Sequence, residues 1–137
     1  MTNVLFRDFH FAVTVALVTM IWIVQILHYP SFLYYDKASF PEAMLFHQRR
    51  ISFIVVPLMI IELVLSMYVF AVDMNLNHLM SLICVIIVWA STFFIQVPLH
   101  SKLSTFNESL INNLVKGNVI RTLAWTLKLL VMELDRI

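Results

Sequence analysis

The sequence predicts an all-α, polytopic membrane protein folded as a four-transmembrane-helix bundle. Apolar stretches at 11–27, 51–72, 79–99 and 119–132 mostly approach the roughly 20 residues that span a bilayer. Hydrophobic residues make up 61% of the 137 and charged residues only 12%, where globular domains carry about a quarter. The polar residues also gather toward one end of each stretch. In a bilayer every backbone polar group must be satisfied within the protein, so runs of this kind are expected to be helices packed as one domain over 1–137.

The first helix is expected over about 9–29. Arg7 followed by an apolar run could suggest a signal peptide, but Tyr29-Pro30-Ser31-Phe32 is no small-residue cleavage site, so the segment is expected to be retained. Pro30 should end it, because the residue before a proline is pushed out of the helical region. The second helix is expected over 40–72. Ser39-Phe40-Pro41-Glu42 reads as a capping box with Ser39 as N-cap. At about 1.5 Å per residue this helix is roughly 50 Å long against about 30 Å of hydrocarbon, so its first turns should stand in the interface. The third and fourth helices are expected over about 78–100 and 106–134. Pro57 and Pro98 each free a carbonyl one turn earlier and should kink their helices.

Threaded as alternating crossings, these helices place both termini and the 73–78 loop on one face, side A. Side A holds Arg7 and Arg136, whereas side B holds Lys37, Arg49, Arg50, Lys102 and Lys116, with Arg121 just inside the fourth helix. The positive-inside rule then makes side B cytoplasmic and both termini external.

Several function classes are excluded. The net charge of +1 gives no footprint for nucleic acid. The single Cys84 allows no intramolecular disulfide or cysteine metal cluster. Gly117 is the sole glycine, which removes phosphate loops and nucleophile elbows and argues against small-residue helix dimerisation.

Chemistry is expected where polar residues converge at side B. Gln25 and His28 share a face of the first helix, and His47 and Arg50 lie in the first turns of the second. Thr92, Gln96 and His100 form a stripe on the third helix, and Asn118, Arg121, Trp125 and Lys128 form one seam of the fourth. Glu62 lies about 16 Å past Ile51 and so near mid-membrane, where Lys128 or Arg121 would be its partner, as a structural salt bridge or as a proton-handling carboxylate. His10 and His78 are expected at the side-A interface, Arg49 is expected to snorkel, and Trp22 and Trp89 are expected to pack. His28, His47 and His100 could together ligate iron, copper or zinc; the alternatives are a hydrogen-bonded network or contacts to an organic ligand, with haem on His28 or His100 a narrower version.

Val97-Pro98-Leu99-His100-Ser101-Lys102-Leu103, followed by Asn118-Val119-Ile120-Arg121-Thr122, resembles the C-terminal half of the anthrone-oxygenase-like family of small four-helix membrane proteins. That family carries a Val-Pro-Leu-Asn element and a Trp-Asn-x-x-Arg-Thr element; here His100 stands for the first Asn and Gly117 for the Trp. Gln25-x-x-His28-Tyr29-Pro30 and His47-Gln48-Arg49-Arg50-Ile51 with Glu62 look like a narrower bacterial branch. The resemblance implies an oxygenase or related redox activity on a hydrophobic aromatic substrate entering from the bilayer; the membrane is expected to be a bacterial inner membrane, with the termini periplasmic by the charge count above. By transfer, His100, Asn118 and Arg121 line the site. The residues themselves add His28, His47 and Glu62 as catalytic candidates and Gln25, Arg50, Gln96 and Trp125 as ligand-binding candidates. An Arg or His would stabilise a developing phenolate or enolate while a neighbouring His or carboxylate takes the proton. The competing class is a non-enzymatic membrane module: an accessory subunit, or a homo-oligomeric channel or carrier whose polar residues are structural.

Overall fold

A computed structural model describes residues 2–135, with side chains from 4 onward; Arg136, assigned above to side A, lies outside the described residues. The chain is all-helical. The first helix, α1, is α-helical over Thr2–Ile23, widens into a π-helical turn at Val24–His28, resumes at Tyr29–Ser31 and closes in a 3-10 turn at Phe32–Tyr34. α2 spans Phe40–Val72. α3 runs over Leu76–Ser91, passes through a second π-helical turn at Thr92–Gln96 and continues over Val97–Lys102. α4 spans Glu108–Leu134.

Proline 30 does not end α1 as expected. In the turn before it, Tyr29 N–H bonds Val24 O, five residues back, and in α3 Val97 N–H bonds Thr92 O in the same way. Each wide turn ends two residues before a proline, Pro30 or Pro98. Widening shifts the hydrogen-bond register by one residue, so the missing proline donor falls within a ladder already rearranged and the helix carries on. The capping box at Ser39 is a further correction. Ser39 makes no cap to the helix; Asp36 Oδ2 instead accepts from Ala38 N and Ser39 N, both at 3.1 Å, and so holds the turn into α2. Asn75 and Asn107 do cap α3 and α4, accepting from His78 N at 2.8 Å and Leu110 N at 3.0 Å.

Successive helices run in opposite directions, and each packs against two neighbours, α4 closing back on α1. Val13, Leu17, Ile21, Met59, Leu65, Val88 and Trp125 fill the centre. Val4–Tyr34, Phe40–Val72 and Leu76–Lys102 are each long and apolar enough to cross a membrane. α4 is less apolar because its inward seam holds Asn118, Arg121 and Lys128, all buried, while Val119, Ile120, Leu123, Leu127, Leu130 and Leu134 face outward. The molecule thus wears its apolar residues outside and its polar ones inside, as a bilayer solvent demands.

Candidate functional site

The polar residues form two separate groups along the bundle axis. The first is centred on Glu62, whose residue is 1% exposed, and Lys128, which is 0% exposed. Lys128 Nζ donates to Glu62 Oε1 at 2.8 Å, Thr14 Oγ1 at 2.8 Å and His10 Nε2 at 3.0 Å, one acceptor for each ammonium proton. Glu62 also accepts from Thr14 Oγ1 at 3.2 Å and from Trp125 Nε1 at 2.7 Å. Lys128, not Arg121, is therefore the partner of Glu62. His10, expected at the interface, is buried inside this group and meets Ser66 Oγ at 3.1 Å, because two turns of α1 carry it past the helix ends to face α4.

The second group lies at side B. Arg121 Nε donates to Asn118 Oδ1 at 2.9 Å, and Nη2 donates to the same oxygen and to Tyr29 Oη at 3.2 Å. Tyr29 Oη meets His100 Nε2 at 3.1 Å. Arginine can only donate, so Tyr29 Oη accepts from Arg121; toward His100 Nε2 it donates or accepts according to the His100 tautomer. Asn118 Nδ2 donates to Gln25 Oε1 at 2.9 Å, and Gln25 Nε2 donates to Val115 O at 3.1 Å, so Gln25 is a brace for α4. His28 Nε2 bonds His47 Nδ1, and the His47 and His100 ring centroids are 6.0 Å apart.

Beside this network lies a cavity of about 430 Å³ bounded by all four helices, with Val24, Val55, Val56, Met59, Trp89 and Phe93 among its apolar walls and Gln96, His100 and Arg121 at its polar end. His100 Nδ1, both polar atoms of Gln96 and Trp89 Nε1 are buried without a partner. Such groups are rare in folded proteins because each costs about 1–3 kcal/mol of desolvation, and they mark functional sites. Below the network, Phe32 and Phe40 are fully buried, and Phe40 meets Phe106 at 5.5 Å between centroids, while His28 and His47 line a groove between α1 and α2 together with Ser39, Glu42 and Arg50.

The expected residues thus divide. His28, His47, Gln96, His100, Asn118, Arg121 and Gln25 come together; Trp125 joins the two groups, lining the cavity while bonding Glu62; Glu62 itself lies in the axial group. Arg50 does not join the network. It is exposed, stacks over Phe46 at 5.3 Å and lines an outer groove between α1 and α2. Tyr29 and Thr14 were missed from sequence, the first because its proline neighbour read as a helix end and the second because a lone threonine in an apolar run carries no signal.

The three histidines converge but do not fit a shared metal. His28 Nε2 and His47 Nδ1 point at one another and His100 Nε2 is engaged by Tyr29, whereas ligand nitrogens must aim at one point about 2 Å away. Among the described residues no group of three or more His, Cys, Asp and Glu could hold a metal ion. Comparison of the chain with protein-family models, curated proteins and solved structures yields no match.

Proposed function

We propose that the protein is an integral membrane protein, with α4 as its fourth span, that binds a flat hydrophobic molecule in the cavity beside Arg121 and catalyses proton removal from it. The observation that carries this reading is the convergence of Arg121, the partnerless side chain of Gln96 and the partnerless Nδ1 of His100 on an apolar-walled space of about 430 Å³, within the range of small-molecule sites. Arg121 is a permanent donor, so the polar end suits an oxygen that gains negative charge, as a ketone does on forming its enolate. The proton would pass to His100, whose Nδ1 has no protein partner at the same end of the cavity. The resemblance to anthrone-oxygenase-like proteins extends this to oxygenation: the carbanion adds dioxygen to give a hydroperoxide, which loses water to leave a new carbonyl. The same resemblance implies ligand entry from the bilayer.

A non-enzymatic bundle is the second reading, favoured by the complete hydrogen-bond satisfaction of Glu62 and Lys128, a structural use of charge. Binding of a hydrophobic hydroxyaromatic ketone to detergent-purified protein, followed by tryptophan fluorescence, together with deuterium exchange at the carbon beside its carbonyl, separates the two. Arg121→Lys cannot reproduce the paired contacts to Asn118 and Tyr29 and is expected to weaken binding about tenfold or more. Unchanged affinity, or no binding by the parent protein, overturns the reading.

A further inference from the structure

The side-A half of the bundle contains a second polar compartment, independent of the side-B site. A cavity of about 30 Å³ is lined by Arg7, His10, Ser66, His78, Ser81 and Asp135, among others. Its mouth is the cluster in which Asp135 accepts from Arg7 Nη2 at 2.7 Å and meets His78 Nε2 at 3.1 Å. Its floor is His10 and Ser66, which lead on to Lys128 and Glu62. Asp135 lies seven residues beyond Lys128 on α4, about 10 Å at helical rise.

Two observations point to water in this space. The volume exceeds the about 10–15 Å³ a cavity needs to admit a water molecule. Ser81 is only 4% exposed, lines the cavity, and its Oγ has no protein partner. Ser66, His10 and Asp135 supply further polar contacts, which is the environment that keeps a buried water bound.

We propose that this compartment is a water-filled proton path from side A that ends at the Glu62–Lys128 pair. A proton arriving through the cavity past Ser66 is taken by His10 at Nε2 when the Lys128–His10 hydrogen bond opens and frees that nitrogen's one lone pair. Lys128 then passes one of its protons to Glu62 Oε1 and recovers one from His10. One proton enters, Glu62 becomes a neutral carboxylic acid, and His10 and Lys128 end as they began. The charged and titratable groups around this step are Arg7, His10, Glu62, Asp73, His78, Lys128 and Asp135, with Cys84 in electrostatic range of Glu62 and Lys128. The path stops there: Trp125 separates Glu62 from the side-B cavity, and an indole N–H does not relay protons.

Silver ions, small enough to follow water, test the path in membrane vesicles of known orientation. In a Cys84→Ser background, Ser66→Cys and Ser81→Cys are expected to be blocked by silver added on side A nearly as fast as an exposed Met74→Cys, and slowly from side B. Thiols that react no faster than Cys84 of the parent would show a sealed, purely structural ion pair and overturn the proposal. Infrared spectroscopy of the unaltered protein tests the terminus. A carboxylic-acid band is expected to grow as side A is acidified, to shift in deuterium oxide and to be missing in Glu62→Gln. Reactive thiols with no such band would equally overturn proton delivery to Glu62.

Discussion

Lys128 has three ammonium protons and three acceptors, and that match sets what its removal should do. Lys128→Met leaves the Glu62 carboxylate buried at 1% exposure with its cation gone, a loss of about 3–5 kcal/mol for an uncompensated buried charge. Removing both charges, as in Glu62→Leu with Lys128→Met, is expected to cost less than Lys128→Met alone, because apolar pairs of similar volume replace buried ion pairs at little cost. Unfolding titrations in mixed detergent micelles measure both; a double variant less stable than either single one would contradict the assignment. At this scale much was legible in the sequence. A glutamate amid apolar residues demands a partner, and the seam of α4 offered Lys128 and Arg121. The choice between them was not legible, because it depends on how far α4 is shifted along α2, which helical periodicity does not encode. The burial of His10 was hidden for the same reason.

At the scale of elements, the lone glycine and the wide turn of α3 belong together. The π-helical turn at Thr92–Gln96 pushes its residues toward α4, and Gly117 is what they meet: a β-carbon there would stand 2.7 Å from Ile95 Cγ2 and 3.2 Å from Gln96 Nε2. Gly117→Ala is therefore expected to destabilise the protein by about 1–3 kcal/mol through overpacking and to displace Gln96 from the cavity. Thermal unfolding in detergent reads the first effect and ligand affinity the second; full stability with full affinity would mean that the two helices slide apart freely. Helix number and approximate position followed from the apolar runs alone. The π-helical turns did not, since a proline in a helix is compatible with an end, a kink or a widened turn, and the hydrogen-bond register that decides among them depends on the packing of the neighbouring helix. Pro30 looked like a terminus for want of that information, and so concealed Tyr29.

For the whole molecule, charge distribution decides orientation, and the fold sharpens the count. Arg121 drops out of it, since its guanidinium is buried among Asn118, Tyr29 and Thr92 and serves the site. Lys37, Arg49, Arg50, Lys102 and Lys116 all remain exposed at the side-B ends of their helices. On side A, Arg7 is paired with Asp135 at 2.7 Å, and the exposed Asp8 and Asp73 lie nearby. The bias toward side B therefore survives removal of the cation that the site uses, and side B is expected to face the cytoplasm. A reporter that is active only in the cytoplasm, fused after Ile137, should be silent, and one active only outside should be active; the reverse pattern would invert the topology. The expected orientation has a chemical consequence. With that orientation the Arg121 cavity would lie toward the cytoplasmic end and the small cavity beside His10 and Asp135 toward the outer end, so the proposed ligand site and the proposed proton path would use opposite halves of the bundle.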